Sequence, residues 1–158
     1  MEKKKSVALV AHDNRKTDLV EWVEFNYDTL LSHQLICTGT TGRLVEETIN
    51  RKLEQDGKKS RKEVTKLKSG PLGGDQQLGA MIAGNQIDLM IFFWDPMQPQ
   101  PHDVDVKALL RIAVVYNIPI ACNRSTADFM ISSHLMRERY IPILKDYQSY
   151  IDRDLIES

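Results

Sequence analysis

The apolar run at residues 88–94 constrains the fold more than any other stretch of this chain. Its sequence, DLMIFFW, is nearly continuous in apolar, β-favouring side chains and lacks the alternation of a strand with one face in water. It is far too short to span a bilayer, which needs about 20 residues in a helix. Such a run is typical of a central strand in a parallel sheet, with helices covering both faces.

Strand-like and helix-like segments alternate along the rest of the chain. Runs rich in β-favouring residues predict five strands, at residues 6–11, 34–37, 64–67, 88–94 and 118–122. Apolar residues at helical spacing predict helices at residues 16–31, 41–53, 74–83, 104–116, 126–132 and 147–156, with residues 140–144 extended. Either Asp13 or Asn14 is expected to cap the first helix.

This alternation predicts the fold class. Parallel strands joined by helices need right-handed crossovers, which place the helices on both faces of the sheet. We therefore expect a doubly wound α/β fold, with a five-stranded, mostly parallel sheet in a Rossmann-like three-layer arrangement.

The length of 158 residues favours one domain that spans the whole chain. The sequence contains no internal repeat and no linker that would divide it. One segment stands apart, because residues 54–68 are rich in basic side chains, with KKSRK at positions 58–62. No aromatic residue accompanies them, so the segment has no platform for stacking nucleic-acid bases. We expect it to be an exposed, mobile insertion.

Charge and cysteine content limit the partners and the compartment. The formal net charge of -1 gives no general attraction to nucleic acid or to anionic membranes, so neither is an expected partner. Three lysines precede the apolar residues 6–11, but that run is too short for a signal peptide. Cys37 and Cys122 each end a predicted strand, and unpaired thiols are typical of a reducing compartment. We therefore expect a cytoplasmic protein.

The loops at the carboxyl ends of the strands should form the site, because ligands bind there in doubly wound sheets. The loop at residues 38–42, TGTTG, follows the second strand and leads into a helix. Its hydroxyls, its glycines and the free amides of a helix start suit an anion such as phosphate. Lys16 can add a positive charge, and Ser69 with Gly70 repeats the arrangement at the next strand. Ordinary strand-to-helix turns remain an alternative, since neither loop matches the P-loop or dinucleotide fingerprint.

Carboxyl and imidazole groups follow the strands at the same edge. Asp75 comes after three glycines, and a glycine-rich backbone lets a substrate approach a carboxylate and tunes its pKa. Asp95 follows two phenylalanines and a tryptophan, which could desolvate it. A helix cap and a turn residue are the alternatives for these two. His12 and His102 could polarise a carbonyl or relay protons, or could be structural. No cysteine and histidine spacing indicates zinc, so no metal site is expected.

These motifs, taken in order, resemble the methylglyoxal synthase family over nearly the whole chain. The most specific pair is GPLGGDQQ at residues 70–77 with FFWDP at residues 92–96. The match extends to ALVAHD, TGTTG, PHD with DVKALLR, and the stretch from NIP through ADF. One region departs from the pattern, because the 26 residues between Gly42 and Ser69 exceed the usual family spacing. The extra residues are the basic segment.

The resemblance implies a lyase that converts dihydroxyacetone phosphate into methylglyoxal and inorganic phosphate, without a metal or an organic cofactor. Asp75 matches the family's catalytic base. The positions that match its substrate- and phosphate-binding groups are His12, Lys16, Thr38, Gly39, Thr40, Thr41, Ser69, Gly70 and His102. Those that match further catalytic groups are His102, Asp13, Asp95 and Asp105. The family also implies a homohexamer that phosphate inhibits.

Two other classes of function stay open at this point. The same fold serves as a non-catalytic regulatory domain in carbamoyl phosphate synthetase, where the equivalent loops bind effectors. Such a module would not need a carboxylate, two histidines and further carboxylates at one edge. The other alternative is an interaction protein that binds nucleic acid or an acidic partner through the basic segment.

Overall fold

A five-stranded parallel sheet forms the centre of the molecule in a computed structural model, which describes residues 1–147. The strand order is β3-β2-β1-β4-β5, and every neighbouring pair is parallel. The strands are β1 (Ser6–Ala11), β2 (Gln34–Thr38), β3 (Thr65–Leu67), β4 (Leu89–Phe93) and β5 (Ile120–Ala121). The predicted fold class is confirmed, and β4 occupies the apolar run with all five residues buried.

Six α-helices connect or follow these strands within the described residues. They are α1 (Lys16–Phe25), α2 (Tyr27–Leu31), α3 (Gly39–Gln55), α4 (Gly74–Ala83), α5 (Asp103–Val115) and α6 (Arg124–Ser132). Three single-turn 3-10 helices cover Asp13–Arg15, Gly70–Leu72 and His134–Met136. None of the helices in this part of the chain is long and apolar enough to cross a membrane.

The helices divide between the two faces of the sheet because strand side chains alternate in direction. Val7 and Leu9 of β1 face a core built with α1, α2, α3 and α6. Ala8 and Val10 face the other core, which α4 and α5 complete. The largest buried side chain is Trp22 of α1, whose indole N–H donates to Asp128 Oδ1 of α6 at 2.8 Å. This bond ties two helices of one layer together.

The first predicted helix is interrupted. Instead of one helix over residues 16–31, the chain forms α1 and α2 with Asn26 between them. The side-chain amide of Asn26 donates to the Trp22 carbonyl oxygen at 2.9 Å, so it closes α1. The predicted cap is also wrong, because α1 follows Arg15 without a side-chain capping bond. The helix predicted at residues 147–156 lies almost wholly outside the described residues.

The basic segment is partly built into the fold. Its first residues extend α3 to Gln55, and Thr65–Leu67 pair with β2 as the edge strand. Between them, residues 56–61 are exposed. Lys62, the next residue, is fixed because the side-chain amide of Asn50 bonds both its N–H and its carbonyl oxygen. The Lys62 ammonium group donates to the carbonyl oxygens of Leu31 and His33.

The strand order sets the position of the site. The chain moves outward from β1 through β2 to β3, and then returns to β4 on the other side of β1. The carboxyl ends of β1 and β4 therefore diverge into loops that lead to opposite faces, which opens a crevice between them. This crevice is where the loops named above meet.

Candidate active site

A cavity of about 390 Å³ lies at the carboxyl ends of β1, β2 and β4. The predicted site residues on its wall are His12, Asp13, Lys16, Thr38, Gly39, Thr40, Thr41, Ser69, Gly70, Asp75 and His102. The wall also contains Val10, Ala11, Pro71, Phe92 and Gln100, which the sequence did not single out. Asp95 and Asp105 are absent from it. A larger cavity, of about 740 Å³, lies between α1 and α6 and contains none of these residues.

One half of the cavity carries groups that can bind an anion. The ammonium group of Lys16 lies 2.5 Å from Thr40 Oγ1 and 2.6 Å from Asp13 Oδ1. Thr40 belongs to the first turn of α3, where backbone amides have no acceptor within the helix. Thr38, which precedes α3, makes no capping bond from its side chain. These donors and the positive end of the helix dipole converge on the space beside Lys16.

Gly39 makes the junction between β2 and α3 possible. Its φ of 47° lies in the left-handed region, which side chains other than glycine rarely adopt. Its N–H donates to the Lys68 carbonyl at 3.1 Å, which ties this loop to the one after β3. A Cβ on Gly39 would approach the Cβ of Ser69 to 3.0 Å. The loop after β2 and the loop after β3 are therefore packed side by side.

Hydrogen bonds to residues of α4 fix the loop after β3. The Ser69 carbonyl accepts the N–H groups of Leu72 and Gly74, at 3.0 and 2.9 Å. The side-chain oxygen of Gln77 accepts the Lys68 N–H at 2.8 Å. Part of the GGDQQ motif thus positions the loop rather than contacting a ligand, a role that the sequence alone does not reveal.

The other half of the cavity contains a buried carboxylate. Asp75 lies in the first turn of α4, and only 4% of its surface is exposed. Burial raises the pKa of its carboxyl, an effect that Asp105 adds to and His102 and His12 oppose. Asp75 Oδ2 has no hydrogen-bond partner among the described residues, and it lies 3.6 Å from His102 Nε2. A carboxylate in this state is a stronger base than one in water.

Gly70 provides the space for His102. A Cβ at this position would come within 2.5 Å of His102 Nε2 and 3.1 Å of Asp75 Oδ2. The imidazole therefore packs directly over the backbone of the loop after β3. The sequence indicated Gly70 as an anion-binding backbone, but its contact with a histidine 32 positions later could not be foreseen.

His12 is fixed in one tautomer by the chain after β4. The backbone N–H of Asp95 donates to His12 Nδ1 at 3.2 Å, so Nδ1 carries no hydrogen and Nε2 carries one. Burial lowers the pKa of His12, and the neighbouring His102 lowers it further, so the ring is neutral near pH 7. Its ring meets Phe92 edge-on, with centroids 5.1 Å apart, and His102 at 5.9 Å. His12 can therefore act as a neutral N–H donor.

The three further carboxylates occupy different positions. Asp13 is mostly exposed at the rim, and its bond to Lys16 lowers its pKa. Asp95 lies outside the cavity, where its carboxylate accepts the N–H of Met97 at 3.0 Å and the amide of Asn14 at 3.1 Å. Those bonds lower the pKa of Asp95. Asp105 lies in the first turn of α5, close enough to raise the pKa of Asp75. Their catalytic roles stay predictions.

Among residues 1–147, no three histidine, cysteine, aspartate or glutamate side chains lie together in a way that could hold a metal ion. The two thiols, Cys37 and Cys122, are unpaired. Burial raises the pKa of Cys37 to about 12, which keeps it protonated.

Comparisons with known proteins agree with the geometry. The family model of the MGS-like domain matches residues 18–122. The methylglyoxal synthase of Maridesulfovibrio salexigens is 56% identical over 157 residues, which cover 98% of this chain and 100% of that protein. That of Coxiella burnetii is 50% identical over 149 residues, covering 94% and 96%.

A solved structure extends the likeness to three dimensions. The crystal structure of methylglyoxal synthase from Elizabethkingia anophelis superposes with a TM-score of 0.85 at 50% identity, covering 100% of this chain and 97% of that one. Sequence and fold agree over nearly the full length, and the chain belongs to the methylglyoxal synthase family.

Proposed function

We propose that the chain is a lyase that converts dihydroxyacetone phosphate into methylglyoxal and inorganic phosphate, with Asp75 as the base. The observation that carries this assignment is the buried Asp75 carboxylate, whose Oδ2 has no hydrogen-bond partner within residues 1–147 and lies in the cavity that the loops after β2 and β3 line. Relatives with the name methylglyoxal synthase, at 50 to 56% identity, support the overall reaction.

The reaction begins with removal of a proton from the carbon that bears the hydroxyl. Asp75 takes this proton, and the electrons of the C–H bond form a double bond to the carbonyl carbon. Negative charge develops on the carbonyl oxygen, where preorganised donors stabilise the transition state. The Nε2–H of neutral His12 and the ring of His102 supply those donors. A general base contributes about 10² to 10⁴-fold in rate, so the donors carry much of the remainder.

Phosphate then leaves from the carbon on the other side of the carbonyl. The C–O bond must stand roughly perpendicular to the plane of the ene-diolate, so that its electrons depart as the π system rearranges. Lys16, Thr40 and Ser69 hold the phosphate in that orientation and stabilise the leaving dianion. Of the two protons that the hydroxymethyl group loses, one ends on phosphate and the other on the carbon that becomes the methyl group.

The remaining carboxylates act through their neighbours in this scheme. Asp95 orients His12 through its backbone N–H, and its side chain fixes that backbone by accepting the Met97 N–H. Asp13 holds the Lys16 ammonium group against Thr40. Asp105 raises the basicity of Asp75 through its charge.

The proposal extends to the assembly, its regulation and its location. Phe25 and Phe129 are 85% and 84% exposed, as side chains at a subunit interface are in an isolated chain. This supports an oligomer, and the family resemblance gives the number of subunits as six. Product phosphate should inhibit by occupying the anion half of the cavity. Two unpaired thiols and a metabolic substrate support a cytoplasmic location.

The direct test is to incubate the protein with dihydroxyacetone phosphate in the presence of a chelator and to assay methylglyoxal and released phosphate. Equal amounts of the two products are expected. Asp75→Asn serves as the control, because it keeps the shape of the site without the base. Phosphate binding without either product would contradict the proposal and favour the regulatory module considered above.

A further inference from the structure

The opposite edge of the sheet, where the strands begin, contains a basic cavity that the proposed reaction does not use. Its volume is about 520 Å³. The residues on its wall are Lys3, Lys4, Asp28, Thr29, Ser32, His33 and Arg137. Three of them are cations from two distant parts of the chain, and His33 lies directly before β2.

Lys5 brings these cations together. Its buried ammonium group donates to the carbonyl oxygens of Glu2 and Glu138, each at 2.5 Å. The N–H of Tyr140 donates to the Met1 carbonyl at 3.1 Å. The amino-terminal tail is therefore fastened along the segment after α6, which places Arg137 beside Lys3 and Lys4.

The basic segment adds a further positive charge at the border of this cavity. The Lys62 ammonium group contacts the carbonyl oxygens of Leu31 and His33. Burial lowers the pKa of Lys62, and the charge of Lys4 lowers it further, so the two cations lie close enough to repel each other. The two basic stretches of the sequence thus converge at one place in the fold.

Few negative charges compensate these cations. Within residues 1–147, no ion pair involves Lys3, Lys4 or Arg137. The one carboxylate on the wall, Asp28, lies 3.4 Å from the Lys58 ammonium group. The cavity therefore has a surplus of positive charge that an anion would neutralise.

His33, on the wall of this cavity, has a buried imidazole held in one tautomer. Only 1% of its surface is exposed, and its Nδ1 accepts the Lys5 N–H at 3.1 Å, so its Nε2 carries the hydrogen. Nε2 has no hydrogen-bond partner among the described residues. A buried donor without an acceptor costs free energy, and such a group usually has a water or an ion as its partner.

We propose that this cavity binds a small dianion of the phosphate type, with Lys3, Lys4 and Arg137 as its cations. The site is separate from the active site, at the other end of the strands. Because none of its residues belongs to the catalytic cavity, the proposal does not depend on the reaction assigned above.

Calorimetric titration with inorganic phosphate, at constant ionic strength with chloride, tests the proposal. We expect two binding events per chain of the wild-type protein. Thr40→Ala should weaken one of them, at the active site. Lys3→Ala with Lys4→Ala should weaken the other by about tenfold or more, because each charged hydrogen bond to an anion is a strong one. Both lysines are exposed, so the double variant should fold normally.

The matched control is Lys107→Ala with Arg111→Ala, which removes the same charge from exposed positions on α5. It should leave both binding events unchanged. A single binding event in the wild-type protein would overturn the proposal. A second binding event whose affinity is unchanged in the double variant, Lys3→Ala with Lys4→Ala, would also overturn it. Failure of the lyase assignment would appear in a different experiment, the product assay, as the absence of methylglyoxal.

Discussion

The burial of Asp75 affects its reactivity and the stability of the fold in opposite directions. Its pKa is raised by burial, so the charged form that abstracts a proton is disfavoured in the folded state. In the unfolded chain the carboxyl ionises at its ordinary pKa. Stability is therefore lost as pH rises from that ordinary value through the raised one, and is lowest above both.

Asp75→Asn should greatly reduce turnover while preserving or increasing stability. The rate should fall by about 10² to 10⁴-fold, the usual contribution of a general base. The melting temperature at pH 8 should equal or exceed that of the wild-type protein, and the difference should vanish at a pH below the ordinary carboxyl range. Steady-state kinetics and thermal melts at both pH values measure this. Turnover near the wild-type rate would refute the assignment of the base.

Gly70→Ala should disturb the site without affecting the core. The new Cβ would lie 2.5 Å from His102 Nε2, so the imidazole has to move. A displacement of about 1 Å at a catalytic group costs roughly 10²-fold in rate. Gly79→Ala is the matched control, because nothing lies within 4 Å of its added Cβ in α4. Equal kcat/KM values for the two variants would contradict the role of Gly70.

At the scale of single residues, the sequence predicted which side chains lie at the site but not which contacts each one makes. Eleven predicted site residues lie on the cavity wall, because they follow strand ends in a fold whose strand ends meet. The bond from the Asp95 N–H to His12 depends on the backbone turn after β4, so it could not be predicted from the types of side chain. Gln100 was missed because it lies in an irregular loop without a motif.

Among the elements, the start of α3 has the clearest functional consequence. Thr40 in its first turn contacts the Lys16 ammonium group on the cavity wall, beside backbone amides that have no acceptor within the helix. Lys16→Ala should therefore raise the inhibition constant of phosphate by about tenfold or more, the usual effect of losing a charged hydrogen bond. The exposed Lys59→Ala is the control. Inhibition that is unchanged in Lys16→Ala would rule out this anion site.

Element boundaries show where sequence patterns stop being informative. The strands and helices around the apolar runs were predicted because burial imposes its own periodicity. The break at Asn26 was missed because apolar spacing continues through it, while a side-chain bond to Trp22 closes α1. The order of the strands depends on crossovers between remote segments, so the pairing of β1 with β4 could not be derived from local pattern.

At the scale of the molecule, exposed aromatic residues predict an assembly. Phe25 lies at the end of α1 and Phe129 lies on α6, and both present nearly their whole side chains to solvent. Light scattering should show a hexamer at micromolar concentration. Phe129→Glu should shift the population to smaller species, whereas Lys59→Glu, a charge change on the exposed loop, should not. A monomeric wild-type protein would contradict the assembly.

The fold accommodates the basic segment, whose extra length is the departure from the family pattern. We predicted an exposed, mobile insertion in a single domain. The structure places its ends in α3 and β3 and anchors Lys62, and between them residues 56–61 and Glu63 are exposed. The strand at its end was predicted, but the anchoring of Lys62 was not, because the anchoring groups Asn50 and Leu31 look like ordinary helix residues.

The burial of Asp75 determines where a deuterium label on the substrate should end up. A carboxyl group whose Oδ2 lies out of contact with water exchanges its hydrogen slowly during a turnover. Deuterium placed on the hydroxymethyl carbon of the substrate should therefore appear in part in the methyl group of methylglyoxal, where mass spectrometry can detect it. Complete washout into the medium would show that water enters between the two steps. Deuterium in the methyl group, by contrast, would show that the carboxyl that removes the hydrogen also delivers it to the other end of the three-carbon chain.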